Sequence, residues 1–247
     1  MKKETKMKFS NVYEDLKRAV PYSKLKFDKT YYLAYRDLPK IISKHISGKN
    51  ALDFGCGTGR STRFLQTLGF KTIGVDISEE MIAIAQQLDH TGIYQHIDDG
   101  DFSSLPCISY DLVLSAFTFD NIPTMNKKIA LFEGLSVLLK QNGTIINLVS
   151  SPEIYTHEWV SFTTKDFPEN AEEKSGDIVR IITIDIKDKR PCYDIFWSAE
   201  DYKKVYTNAG LRIIGTYKPL ATGHEPYQWV NETKIAPWTI YVLKKKA

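Results

Sequence analysis

The chain has 247 residues, of which 43% are hydrophobic and 26% charged, with a formal net charge of only +3. A chain of this length and composition can bury a self-sufficient core, so no disulfide or structural metal is required to fold it. The modest charge argues against duplex DNA as a partner, because its phosphates demand a basic face.

In chain order, a helical stripe comes first, from about Asp28 to His45, with Tyr31, Tyr35, Leu38, Ile42 and His45 on one side and Asp28 as its cap. Asn50 to Phe54 reads as a first strand, followed by a helix from about Arg60 that stops at Gly69. Lys71 to Asp76 is a second strand. Ser78 then caps a helix with Glu79 and Glu80 in its first turn and Met81, Ile84, Ala85 and Leu88 as its buried stripe. Ile93 to Ile97 and Asp111 to Ser115 are the third and fourth strands. A helix from Asn126 to Lys140 turns at Asn142-Gly143 into a fifth strand, Thr144 to Val149. This alternation predicts an α/β fold with a mostly parallel, doubly wound sheet. Beyond Ser150 the rhythm breaks. Residues 151–177 read as irregular, and Ile178–Ile186 and Cys192–Trp197 as an antiparallel pair outside the main sheet. Ser198 caps another helix, and Leu211–Tyr217 and Trp238–Leu243 are closing strands.

The three cysteines, Cys56, Cys107 and Cys192, are odd in number and far apart, which fits a reducing compartment and gives no zinc spacing. The basic N-terminus has no apolar signal core, and no apolar run approaches the roughly 18 residues of a membrane span. A cytoplasmic protein without metal or membrane association is expected, acting as a monomer or homodimer.

The chemistry concentrates in Asp53-Phe54-Gly55-Cys56-Gly57-Thr58-Gly59-Arg60, a strand running into a triple-glycine turn and a helix. Glycine has no Cβ, so backbone there can approach a ligand closely, and a helix start offers free N–H donors. A dinucleotide fingerprint wants G-x-G-x-x-G; here the third glycine comes one residue early and Arg60 stands in its place. Asp53 would repel a pyrophosphate and attract an amino group. Asp76, at the end of the second strand, can accept both hydroxyls of a ribose. Asp101 offers an acceptor for an exocyclic amine, with Phe102 as an apolar surface beside it.

These segments together resemble the class I S-adenosylmethionine-dependent methyltransferases. Asp53–Gly59 resembles their first motif, and Gly74-Val75-Asp76-Ile77-Ser78 with Met81 their second. Gly100-Asp101-Phe102-Ser103-Ser104-Leu105-Pro106 is similar to their G-D-A-x-x-L-P segment, and Tyr110–Phe117 to their fourth. The resemblance implies a Rossmann-like seven-stranded sheet with an antiparallel last strand, in a single domain over 1–247. Helices within 20–47 would form a lid, and an antiparallel β insertion at 151–197 a substrate cap. It implies S-adenosylmethionine as cofactor and S-adenosylhomocysteine as product. Asp53 and the Gly55, Cys56, Gly57 and Gly59 backbone would hold its methionine part, Asp76 the ribose, Ile77 and Met81 the adenine side, and Asp101 and Phe102 the base. Ser115, Ala116 and Phe117 would lie near the sulfonium. Tyr22, Tyr31 and Arg36 would close over the ligand, with Arg36 on its carboxylate.

Transfer from a sulfonium is a direct displacement, so alignment can supply much of the catalysis. No compulsory catalytic residue is legible; His157, Tyr193 and His224 are candidates for a base, and Trp159 and Trp197 for pocket walls. Phe119-Asp120-Asn121-Ile122-Pro123 departs from the Asn/Asp-Pro-Pro-aromatic segment of exocyclic-amine nucleic-acid enzymes. The acceptor is therefore expected to be a small molecule methylated at N or O. An RNA (tRNA) base or a cofactor-binding regulatory role without turnover are the alternatives.

Overall fold

The computed structural model describes residues 25–246. Its centre is a seven-stranded sheet in the order β3-β2-β1-β4-β5-β10-β9. These strands are β1 (Asn50–Phe54), β2 (Lys71–Asp76), β3 (Ile93–His96), β4 (Tyr110–Ala116), β5 (Leu139–Ser150), β9 (Leu211–Tyr217) and β10 (Trp238–Lys245). All neighbours pair in parallel except β10, which is antiparallel to both β5 and β9. The chain winds outward in opposite directions from β1 and β4, so a crevice opens above the C-terminal ends of these two strands.

Both faces of the sheet are covered, and strand alternation divides the core. From β4, Leu112 and Leu114 pack with α1 (Lys29–Arg36), α2 (Leu38–His45) and α3 (Arg60–Thr67), while Val113 packs with α5 (Met125–Leu138) and α6 (Ala199–Asn208). A smaller cluster joins Cys56 and Tyr94 to Ile82 and Ala85 of α4 (Glu79–Leu88). Ser78 caps α4 by accepting the Met81 amide at 3.2 Å, and Ser198 caps α6 by accepting the Asp201 amide at 3.1 Å.

A three-stranded antiparallel sheet lies outside the alternation, formed by β6 (Phe162–Thr163), β7 (Ile178–Thr183) and β8 (Cys192–Ile195). β6 falls in a stretch that reads as irregular, because two residues carry no periodicity. Other features also differ from the sequence pattern. The expected helix over 28–45 is two helices that break at Asp37, since Pro39 lacks a donor and suits the first turn of a new helix. Asp28 occupies the first cap position without a side-chain cap bond. The Asn142-Gly143 turn does not form: β5 begins at Leu139, pairing with Tyr110, and runs through these residues after a register shift. Leu88, placed on the buried stripe of α4, is 51% exposed, and Ile82 is buried in its stead.

Candidate active site at the switch point

β1 delivers the chain to a loop whose glycines are required by conformation. Gly55, Gly57 and Gly59 have φ of 72°, 52° and 78°, the left-handed region that side chains disfavour. The amides of Gly55 and Cys56 both donate to the Val75 carbonyl at 2.9 Å, which pins the loop onto the end of β2. The Gly57 amide then donates to Asp76 Oδ2 at 2.8 Å, and the Ser78 amide to Oδ1 at 3.0 Å. Asp76 thus bridges the glycine loop and the start of α4. Burial raises its pKa, opposed by the Ser78 and Gly57 amides.

Asp53 has another task. It is fully buried, and Oδ2 accepts from Ser61 Oγ at 2.7 Å and Thr62 Oγ1 at 2.6 Å. It fastens the first turn of α3 to β1, behind the loop. Oδ1 has no hydrogen-bond partner among the described residues, and burial pushes the pKa up to about 6. An acid whose folded pKa exceeds its unfolded value stabilises the fold below the unfolded pKa, and that stability is lost as pH rises through the folded pKa. Asp53 therefore withdraws roughly 3 kcal/mol of stability between about pH 4 and pH 6. Asp53→Asn is expected to remove this part of the slope. Denaturant melts at several pH values check it, and a wild-type slope unchanged in the variant would contradict it.

Above the ends of β1 and β4 lies a cavity of about 430 Å³. Phe54, Gly55, Gly57, Ala116, Phe117 and Thr118 form its centre, with Tyr31 of α1 across from them. One end is lined by Asp76, Ile77, Met81, Ile97, Asp99 and Leu131. The other end runs beneath the small sheet, where Phe162, Ile181, Thr183 and Asp194 meet Asp120, Ser150 and Trp238. Phe117 has φ 66°, a conformation costing a bulky residue about 1–2 kcal/mol. Its amide bond to the Leu148 carbonyl at 2.8 Å and its ring against Trp238, 4.8 Å between centroids, hold it there. Strain of this kind concentrates where a site needs a particular side-chain direction.

Residues 51–143 match the family described as Methyltransferase domain. That segment, which runs from β1 through the glycine loop to β5, is similar to a methyltransferase domain. The chain is 32% identical over 119 residues to an uncharacterized methyltransferase of Alkaliphilus oremlandii, a match covering 47% of this chain and 53% of that protein. It is 29% identical over 244 residues to a protein of Methanocaldococcus jannaschii, covering 96% and 89%. The chain spans little more than half the length of several curated relatives it matches. The crystal structure of an S-adenosylmethionine-dependent methyltransferase from Clostridium acetobutylicum shares the fold, with TM-score 0.60, 16% identity and coverage of 96% and 97%.

The residues singled out from sequence divide in two. Gly55, Gly57, Asp76, Ile77, Met81, Ala116 and Phe117 line the cavity, as does Tyr31 from α1. Asp53, Cys56 and Gly59 stand behind the loop: Cys56 is packed in the small cluster, and a Cβ on Gly59 would lie 2.7 Å from the Tyr94 ring. Ser115 is fully buried, with Oγ unpartnered among the described residues. Asp101 is exposed and accepts the Ser103 amide at 2.8 Å, while Asp99, two residues earlier, meets the cavity and pairs with Lys127. Phe102 packs beneath, against Phe54 and Gly134.

Arg36 points away. It lies about 140° around the helix from Tyr31, forks onto Asp37 at 2.8 and 2.9 Å, and reaches Glu225 at 3.1 Å. Arg60, where a dinucleotide fingerprint has glycine, lays its guanidinium over the Tyr31 ring at 4.8 Å. The three candidate bases are off the cavity wall. His157 Nδ1 lies 3.0 Å from the Glu153 carbonyl oxygen, His224 is exposed, and Tyr193 faces away because its strand neighbours Cys192 and Asp194 face in. Trp159 is core, and Trp197 covers Lys128 at 4.7 Å. Tyr22 lies outside the described residues.

No local sequence pattern marks Asp120 or Asp194 as a site residue. Asp120 lies on the turn Thr118–Asn121 after β4 and is buried, with Oδ2 accepting the Ser150 amide at 3.0 Å. Asp194 sits on β8, and its Oδ2 accepts from Tyr155 Oη at 3.1 Å. Burial raises both, Asp120 to about 6 and Asp194 to about 7, the latter also because Asp120 is near. Among the described residues no group of three or more His, Cys, Asp or Glu could hold a metal ion, and no helix is long and apolar enough to cross a membrane.

Proposed function

We propose that the protein is an S-adenosylmethionine-dependent methyltransferase whose acceptor is a small molecule methylated at N or O. The observation that carries this reading is one cavity in which the Gly55 and Gly57 backbone, the Asp76 carboxylate and a covered second chamber are continuous. The residues fit the cofactor. A Cβ on Gly57 would meet nothing within 4 Å, so its backbone lies open to a ligand. A carboxylate offers about four acceptor positions; the Gly57 and Ser78 amides use two at Asp76, which leaves capacity for a pair of ribose hydroxyls. Ile77, Met81, Ile97 and Leu131 offer an apolar slot for a base, with Asp99 at its edge.

S-adenosylmethionine, when bound, supplies a methyl group already activated on a sulfonium. The chain's part is to align and to exclude water. The rings of Tyr31 and Phe117 would flank the cationic centre, a favourable electrostatic arrangement. The small sheet over 162–195 lies over the acceptor end, and a cavity of about 430 Å³ is of a size for a small molecule. Isothermal titration with S-adenosylhomocysteine is expected to show binding with a dissociation constant on the order of micromolar, about −8 kcal/mol. Absence of heat with both the product and S-adenosylmethionine would overturn the reading. Strongly salt-dependent RNA binding would favour an RNA acceptor instead.

A further inference from the structure

We propose that the acceptor is a cationic amine on a compact apolar body, held between Asp120 and Asp194 and deprotonated there by Asp194. The inference rests on the methyltransferase reading above and goes on to the substrate class.

Two features of the cavity favour a cation at its acceptor end. The first is charge. Four carboxylates line the cavity, those of Asp76, Asp99, Asp120 and Asp194, against one lysine, Lys127. Lys127 pairs with Asp99, and Asp76 is held by two backbone amides. That leaves Asp120 and Asp194, on the turn Thr118–Asn121 and on β8, which lie against one another. Asp120 meets the Ser150 amide and hydroxyl and Tyr202, Asp194 meets Tyr155, and both line the same chamber. The basic group nearest them is Lys128. It is fully buried, donates to the Phe119 carbonyl and lies over the Trp197 and Tyr202 rings at 4.7 and 5.1 Å, off the cavity wall. Two carboxylates thus share one lysine, so with both ionised the chamber is one positive charge short, and it balances either by a proton kept on Asp194 or by a second cation. Burying such an excess is costly unless a proton or a cation joins it.

The second feature is aromatic. Tyr31, Phe117, Phe162 and Trp238 all line the cavity, with centroid separations of 4.8 Å for Phe117–Trp238, 5.2 Å for Tyr31–Phe162 and 5.7 Å for Phe162–Trp238. Aromatic rings lining a partly desolvated space favour an ammonium group placed over their faces. Ile154, Ile181 and Thr183 complete a wall suited to an apolar body.

An ammonium has no lone pair with which to attack. The Asp194 carboxylate takes one proton from it, giving a neutral amine and a carboxylic acid. The nitrogen lone pair forms the new N–C bond, the methyl–sulfur bond breaks, and its electron pair stays on sulfur. The groups facing Asp194 are Asp120, Tyr155 and Tyr202, and the charge of Asp120 favours the protonated acid.

The test uses matched probes on the full protein loaded with S-adenosylhomocysteine: benzylamine against benzyl alcohol, and 2-phenylethylamine against 2-phenylethanol, followed by calorimetry. Each amine is expected to bind about tenfold more tightly than its alcohol. Asp194→Asn is expected to abolish the preference and Asp194→Glu to keep it. Equal or tighter alcohol binding, no amine binding at about 10 mM, about the 3 kcal/mol range of free energy, or a preference that survives in Asp194→Asn overturns the proposal. The wild-type comparison stands even if a variant fails to fold. Failure of S-adenosylhomocysteine itself to bind removes the parent reading, whereas product binding without amine preference removes only this one.

Discussion

Asp76→Ala is expected to raise the dissociation constant for S-adenosylhomocysteine about a hundredfold, close to 3 kcal/mol. Two losses combine. The carboxylate would no longer accept the ribose hydroxyls, and hydrogen bonds to a charged group contribute about 1.5–3 kcal/mol. The Gly57 and Ser78 amides would also lose their acceptor, so the loop would no longer be held in its ligand-ready shape. Asp76→Asn separates the two effects, since an amide oxygen can still serve one backbone donor. Its affinity should fall between wild type and alanine. Calorimetry on the three proteins decides the matter; near-wild-type affinity in the alanine variant would place the ribose elsewhere.

Gly55→Ala should lower the melting temperature by about 10 °C, corresponding to a loss of about 3–4 kcal/mol. The residue has φ 72°, and an added Cβ would lie 2.1 Å from Thr118 Oγ1 and 2.4 Å from its Cγ2. Thr118 cannot yield cheaply, because its hydroxyl donates to the Phe54 carbonyl at 3.0 Å. Gly57→Ala should behave differently. Its φ is 52°, but a Cβ there meets nothing within 4 Å, so only the backbone cost of about 1 kcal/mol remains. The new methyl would border the cavity, and product affinity should drop about tenfold or more with the fold intact. Thermal melts and calorimetry on both variants read the contrast. Equal destabilisation of the two would show that the loop can shift, and would refute the assignment of Gly55 as the anchored residue and Gly57 as the ligand-facing one.

The alternation of strands and helices, the order of the motif-bearing turns and the glycine loop were legible in the chain itself. Each depends on local physics: apolar runs between turn residues, caps such as Ser78 and Ser198, and left-handed positions that only glycine occupies easily. Side-chain direction was less legible wherever it depended on one residue of register. Asp99 rather than Asp101 meets the cavity because the turn at Gly100 sits between them, and a turn sends neighbouring carboxylates to opposite sides. Tyr193 drew notice as an aromatic, yet strand alternation aims Asp194 inward. Arg36 shares a helix with Tyr31 but lies on another face of it.

Asp53 shows the same division within a single motif. Sequence pattern places a carboxylate at the strand end, but only the packing of Ser61 and Thr62 around it makes it a fastener for α3. The acceptor chamber is the part that tertiary structure alone decides. Asp120 and Asp194 stand 74 positions apart in the chain, and no local periodicity relates them. They share a chamber because the small sheet folds back over the end of β4, and that docking is driven by apolar burial across the whole fold rather than by any signal near either residue. The sheet, its switch point and the glycine loop there follow from short-range pattern and can be read along the chain. The tertiary structure decided which carboxylates face the ligand, because that depends on which surfaces meet.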